Sequence, residues 1–245
     1  MSPVRPAVAR RLFYRHRYRI TAAAALLAAT AGFVNAVALA VAARPVSHYT
    51  GSVARLAGDL ADGQPADALS VVLLLGAFFA GAAAAGALVG TRYLLPRGRY
   101  GAVLVLEGGL LAASAAALGP RPLAGLALAA AACGLQNGMA NNFYGVVVRT
   151  THVSGLVTDL AVATGQWLRG RPVQGWRAAF QGGVIAAFAA GGVAGTLAAR
   201  RAGPGVLAAP AAVCLVGGGA YLGWTRATRR RRARRRPAPS GGPSA

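Results

Sequence analysis

The chain has almost no acidic residues and no lysine. Of its 245 residues only five are acidic, Asp59, Asp62, Asp67, Glu107 and Asp159, and all 26 basic residues are arginine. Charged side chains make up 13% of the sequence, against roughly 25% for a soluble globular chain. A soluble protein of this length needs a charged shell, and this one cannot build it. Cysteine is scarce as well. Cys133 and Cys214 each sit inside an apolar run, where a small buried residue is the reading and a disulfide scaffold is excluded. Collagen is excluded because there is no G-x-y period, and disorder because 56% of the chain is hydrophobic.

That apolar content is gathered into long runs. Six stretches, 20–43, 68–91, 100–118, 122–148, 178–199 and 203–225, are long enough to cross a bilayer, which takes about 20 helical residues. They are almost free of charge. Asn35 is the strongly polar residue of the first, Glu107 the charge of the third, and Gln136, Asn137, Asn141 and Asn142 mark the second half of the fourth. The expected fold is all-α, a polytopic membrane protein of six transmembrane helices. Glycines at Gly86/Gly90, Gly134/Gly138, Gly191/Gly195 and Gly219/Gly223 show the G-x-x-x-G spacing that lets helix backbones approach closely in lipid. Such faces also admit a homo-oligomer.

Arginine placement orients the spans. Residues 1–19 carry Arg5, Arg10, Arg11, Arg15, Arg17 and Arg19, and residues 226–245 carry Arg226, Arg229 to Arg232 and Arg234 to Arg236. Positive charge stays cytoplasmic, so both ends belong inside and the number of spans is even. Six spans put 21 of the 26 arginines inside, including Arg92, Arg97, Arg99, Arg149, Arg169, Arg171 and Arg177. Arg44, Arg55, Arg121, Arg200 and Arg201 fall outside. The expected location is the plasma membrane, crossed several times with both ends cytoplasmic. Arg10-Arg11 and Ala40-Val41-Ala42 resemble an export signal, but the apolar run that follows the arginines, 20–43, is 24 residues long and exceeds the roughly 7–15 residues of a signal core. The Arg-rich end lacks interleaved aromatics, so anionic headgroups are its expected partner rather than nucleic acid. Residues 226–245 read as an Arg-rich, disordered cytoplasmic tail, in which the Pro/Ser/Gly end from Pro237 has nothing to bury.

Two polar segments interrupt the apolar runs, and they match each other. Val46-Ser47-His48-Tyr49-Thr50-Gly51-Ser52-Val53 aligns with Thr150-Thr151-His152-Val153-Ser154-Gly155-Leu156-Val157 at an offset of 104 residues. The preceding spans match at an offset of 102, Gly32-Phe33-Val34-Asn35-Ala36 against Gly134-Leu135-Gln136-Asn137-Gly138. Paired matches in the same order point to an internal duplication. The first repeat covers 20–121 with its motif segment at 46–62, the second 122–225 with its segment at 150–168. If the segments do not cross, each repeat has three spans and the second is inverted, as in many secondary transporters.

These segments carry the candidate chemistry. His48 and His152 supply imidazoles, Thr50 and Ser154 hydroxyls, and Gly51 and Gly155 a backbone that can open, while Asn35, Gln136 and Asn137 add amides. Two such segments entering from opposite faces would line one central polar site, and histidines there would give it a step that depends on pH near neutrality. The competing expectation is that the histidines only cap helix starts, with Thr50 and Ser154 as local backbone caps. Glu107, the acid inside a span, is a candidate for proton or cation binding or for holding an imidazolium. It can equally be a neutral acid bonded between helices. Asp159 could pair with Arg55.

No P-loop, nucleophile elbow or metal-binding Cys/His cluster appears. No catalytic residue, metal or cofactor is therefore expected, and the chain does not read as an enzyme.

The run Gly134-Leu135-Gln136-Asn137-Gly138, followed by Arg149-Thr150-Thr151-His152-Val153-Ser154-Gly155, resembles the YoaK family, the DUF1275 group of bacterial membrane proteins. Its members carry a GxQN span, an RTTHVTG segment and an earlier TGN segment after a first span with GxxDA. The resemblance covers roughly residues 20 to 225. Asn35 stands where that family usually has an acid, Ser154 where it has Thr, and Ser52 where it has Asn. The resemblance implies a polytopic membrane fold. The expected function is a small-solute transporter or channel with a central polar site; the alternative is a structural or scaffolding membrane protein.

Overall fold

The computed structural model describes residues 6–89, 99–140 and 150–234, and among them it is helical throughout, with no strand. Eight helices follow in order: α1 Pro6–Ala42, α2 Tyr49–Ala61, α3 Pro65–Val89, α4 Arg99–Ala117, α5 Pro122–Ala140, α6 Val153–Leu168, α7 Gly175–Ala202 and α8 Ala208–Arg234. Gly90, Arg92, Arg97, Asn141, Asn142 and Arg149, named above, lie outside the described residues, as do 1–5 and 235–245.

Local chemistry explains the boundaries. Pro65 and Pro122 open α3 and α5 at the first helical position, where a missing N–H costs nothing. Between α7 and α8 a 3-10 turn spans Gly203–Leu207. Gly203 adopts φ 66°, which glycine reaches without strain, and Pro204 follows it. Residues 203–207 therefore form a turn rather than the start of a span. The expected disordered tail at 226–245 is also corrected in its first part. α8 continues through the arginines to Arg234, because arginine is a strong helix former and no proline intervenes before Pro237.

Five helical stretches are long and apolar enough to cross a membrane: Arg17–Ala42, Pro65–Val89, Arg99–Ala117, Pro122–Ala140 and Gly175–Arg230. The last is 56 residues long and contains α7, the turn and α8. The chain is therefore an all-helical protein built to span a membrane. Lipid tails are as apolar as leucine, so packing and polar contacts, not the hydrophobic effect, hold such helices together.

Glycine does much of that packing. A Cβ added at Gly32 of α1 would run into the Phe188 carbonyl of α7, and one at Gly191 of α7 into the Ala29 carbonyl of α1. The same arrangement recurs between α5 and α3, with Gly134 on the Phe78 carbonyl and Gly81 on the Ala131 carbonyl. α1 thus packs along α7 and α3 along α5, while α4 packs against both α8 and α5. Contacts this close bring glycine Cα–H groups onto facing carbonyls, a weak bond that recurs at helix interfaces. Of the expected glycine pairs, Gly134/Gly138 and Gly191/Gly195 meet a neighbouring helix. Gly86, Gly219 and Gly223 face open space.

Candidate functional site

The connection after α1 turns back on itself. Asn35, seven residues before the end of α1 at Ala42, accepts hydrogen bonds through Oδ1 from the Val46 backbone N–H and the Ser47 hydroxyl, both at 3.1 Å. At about 1.5 Å per helical residue, the chain has returned roughly 10 Å alongside α1 before α2 begins. The second motif segment does the same beside α5. The Thr151 hydroxyl donates to Asn137 Oδ1 at 3.0 Å, and Gln136 Nε2 donates to Thr150 Oγ1 at 3.0 Å and to the Leu27 carbonyl of α1 at 2.9 Å. Ser47 on Asn35 and Thr151 on Asn137 are matching positions of the two segments.

α2 and α6 start where these tethers end. Their first turns face a cavity of about 630 Å³. Ser47, His48, Tyr49, Thr50 and Gly51 line it from the first segment, and Thr151, His152, Val153 and Ser154 from the second. Phe78 and Ala82 of α3 and Asn137 and Gly138 of α5 complete the described wall. The opening N–H groups of a helix lack intrahelical partners, so both helix starts present donors here beside the hydroxyls, the Asn137 amide and two imidazoles. None of the five acidic residues lines this cavity.

Packing fixes the first segment. The Tyr49 hydroxyl donates to the Val46 carbonyl at 2.9 Å, and its ring lies 4.6 Å from that of Phe78. His48 is half-buried and meets Phe188 of α7 edge-on, with ring centroids 5.6 Å apart. His152 is exposed, and its ring folds back over α6, where a Cβ at Gly155 would stand 2.9 Å from Cδ2 and Nε2. A Cβ at the matching Gly51 would meet nothing within 4 Å. The two imidazoles therefore point differently from equivalent backbone positions. Gly51→Ala should keep the helix-propensity gain of up to about 1 kcal/mol. Gly155→Ala should lose that gain by turning His152 aside. Thermal melts of the two purified variants measure the difference, and equal shifts would contradict it.

Several expectations change here. His48 and His152 occupy the N-cap positions of α2 and α6 but make no side-chain cap bond, so capping does not account for them. Asn35 and Gln136 are buried behind the cavity as tethers, and Gly155 lies under His152 rather than on the wall. Glu107 lies elsewhere, buried in α4 with Cys214 of α8 and Cys133 of α5 beside it. It holds neither imidazole. The expected Asp159–Arg55 pair is not formed. Gln181 of α7 donates to Asp159 at 3.3 Å, and Arg55 faces Asp59 one turn along α2 at 3.7 Å.

Ser47, Tyr49, Phe78, Ala82, Gly138, Thr151 and Val153 line the cavity without being expected site residues. Ser47 and Thr151 carried a signal, since both fall inside the two matching segments. Phe78 and Ala82 carried none, because nothing in an apolar span marks which face meets a cavity.

No curated protein and no solved structure matches the chain. The family model DUF1275, described as a protein of unknown function, matches residues 23–220. That match covers most of the chain, which belongs to the DUF1275 family.

Proposed function

We propose that the chain is a small-solute transporter of the bacterial inner membrane, and that the cavity between the starts of α2 and α6 is its solute site. The observation that carries this reading is the convergence of both motif segments, with both histidines, on one polar-lined cavity. Six crossings, by α1, α3, α4, α5, α7 and α8, form two inverted repeats with both ends cytoplasmic. α2 and α6 enter from opposite faces and stop short of crossing. Matched contacts support the repeats: Asn35–Ser47 with Asn137–Thr151, and Gly32–Phe188 with Gly134–Phe78. An irregular backbone at membrane depth is tolerated where it lines a cavity, and in inverted-repeat transporters broken helices aim their starts at the substrate.

The test is flux. Purified protein is reconstituted in liposomes and screened with amino acids, sugars, carboxylates and inorganic anions under an imposed pH gradient. Wild-type protein should move at least one of them. His48→Gln and His152→Gln should each lower that flux by at least tenfold, with reconstituted protein unchanged. Full flux in the double variant, or no flux of any solute class, would overturn the reading.

A further inference from the structure

A second cavity lies between α1, α4, α5 and α8, away from the motif segments. It measures about 210 Å³, and its wall is almost wholly apolar, including Ala23 and Leu27 of α1, Leu104 of α4, and Val213 and Gly217 of α8. An apolar cavity of about 150 Å³ already takes up benzene, so this one has room for a run of methylene groups. Its origin is the way the helices pair. α4 and α5 are consecutive and pack along each other, whereas α8 scarcely touches α1. No short loop draws that last pair together, and small side chains on both leave the gap open.

Arginines stand beyond one end of this gap. α1 lies parallel to α7, with Ala29 against Gly191 and Phe33 against Gly195, and α8 returns antiparallel after the turn at Gly203–Leu207. The start of α1 and the end of α8 therefore reach the same side of the bundle. Arg19 stands one turn before Ala23 on the same face of α1, and Arg229 stands about two turns beyond Tyr221, another lining residue of α8. Arg17, Arg19, Arg226, Arg229 and Arg230 are all exposed. Apolar walls below and guanidinium groups above complement one kind of molecule. We propose that this cavity binds an anionic phospholipid, with an acyl chain between α1 and α8 and the phosphate at these arginines. Arginine holds phosphate by bidentate, charge-assisted hydrogen bonds.

The experiment is native mass spectrometry of the full chain in mild detergent, with phosphatidylglycerol or phosphatidylcholine of identical acyl chains added in turn. Free glycerophosphate, which carries the headgroup without a chain, is the third arm. Phosphatidylglycerol should be retained at least tenfold over phosphatidylcholine, and glycerophosphate should not be retained. Gly217→Leu should fill the cavity and reduce retention of both lipids by at least tenfold, since a Cβ there meets nothing within 4 Å. Val213→Phe fills the same space from an exposed position and serves if the glycine variant fails to fold. Arg17→Ala with Arg19→Ala and Arg229→Ala should remove the headgroup preference and leave chain retention. Equal retention of both lipids by wild-type protein would overturn the proposal, as would unchanged retention in the folded cavity-filling variants, or glycerophosphate binding as tightly as the lipid.

Discussion

Gly32→Leu should leave little folded protein in the membrane, while Gly76→Leu should be silent. Both glycines sit in apolar spanning helices, and both changes add the same four carbons. At Gly32 the first of those carbons would run into the Phe188 carbonyl of α7. Backbone cannot turn aside as a side chain can, so α1 and α7 would have to separate along their contact. Overpacking in ordinary cores costs about 1–3 kcal/mol and occasionally more. Here the clash is with the main chain of the partner helix, and a cost of at least about 3 kcal/mol, a shift of roughly a hundredfold in folded population, is expected. Gly134→Leu should behave alike, because it meets the Phe78 carbonyl of α3 in the same way. Gly76 is exposed, and a Cβ there meets nothing within 4 Å. Monodisperse protein recovered after detergent extraction is the measurement. Equal recovery of the Gly32 and Gly76 variants would show that the α1–α7 contact is not what holds the bundle.

The contrast between those two glycines marks where the sequence becomes silent. Length and apolarity located the spanning helices, because crossing a bilayer demands about 20 apolar residues whatever the neighbours are. The matched runs around His48 and His152 located the two segments that meet at the cavity, because both carry the same residue types in the same order. Which helices pair was not legible. In stretches built from alanine, glycine and leucine every face has a similar polarity, so no periodicity tells Gly32 from Gly76. Glu107 shows the same limit, since a carboxylate at the histidines and a neutral acid between helices were both open from the sequence. A lone acid in a span is conspicuous in the sequence, yet its distance from the histidines depends on how α4, α5 and α8 pack. The placement of α2 and α6 was hidden too, since it rests on a few hydrogen bonds, accepted by Asn35 and Asn137 and donated by Gln136. The Arg-rich end of α8 looked like a tail because charge suggests solvent, although arginine itself favours helix.

Asn35→Leu should cost far more than Asn35→Asp, and the reason lies in which atom of Asn35 does the tethering. Its Oδ1 accepts from both the Val46 N–H and the Ser47 hydroxyl, and all three residues are buried. Leucine has nearly the same volume but no acceptor. The buried Val46 N–H would be left without a partner, at about 1–3 kcal/mol, since a backbone donor cannot turn to the cavity as the Ser47 hydroxyl can. Folded protein should fall by about tenfold or more. Aspartate presents an oxygen at the same place and can accept both bonds, so Asn35→Asp should recover most of the wild-type yield. Asn137→Leu should be milder, near 1 kcal/mol, because Asn137 is only half-buried and takes a side-chain hydroxyl, Thr151, rather than a backbone N–H. That hydroxyl can turn to the cavity. Yields of the three variants after extraction, read beside their thermal midpoints, decide the matter. An Asn35→Leu protein as abundant and as stable as Asn35→Asp would mean that the start of α2 is held at its depth by packing alone. His48 would then owe its place to its edge-on contact with Phe188, and not to the buried amide that holds Ser47, the residue before it.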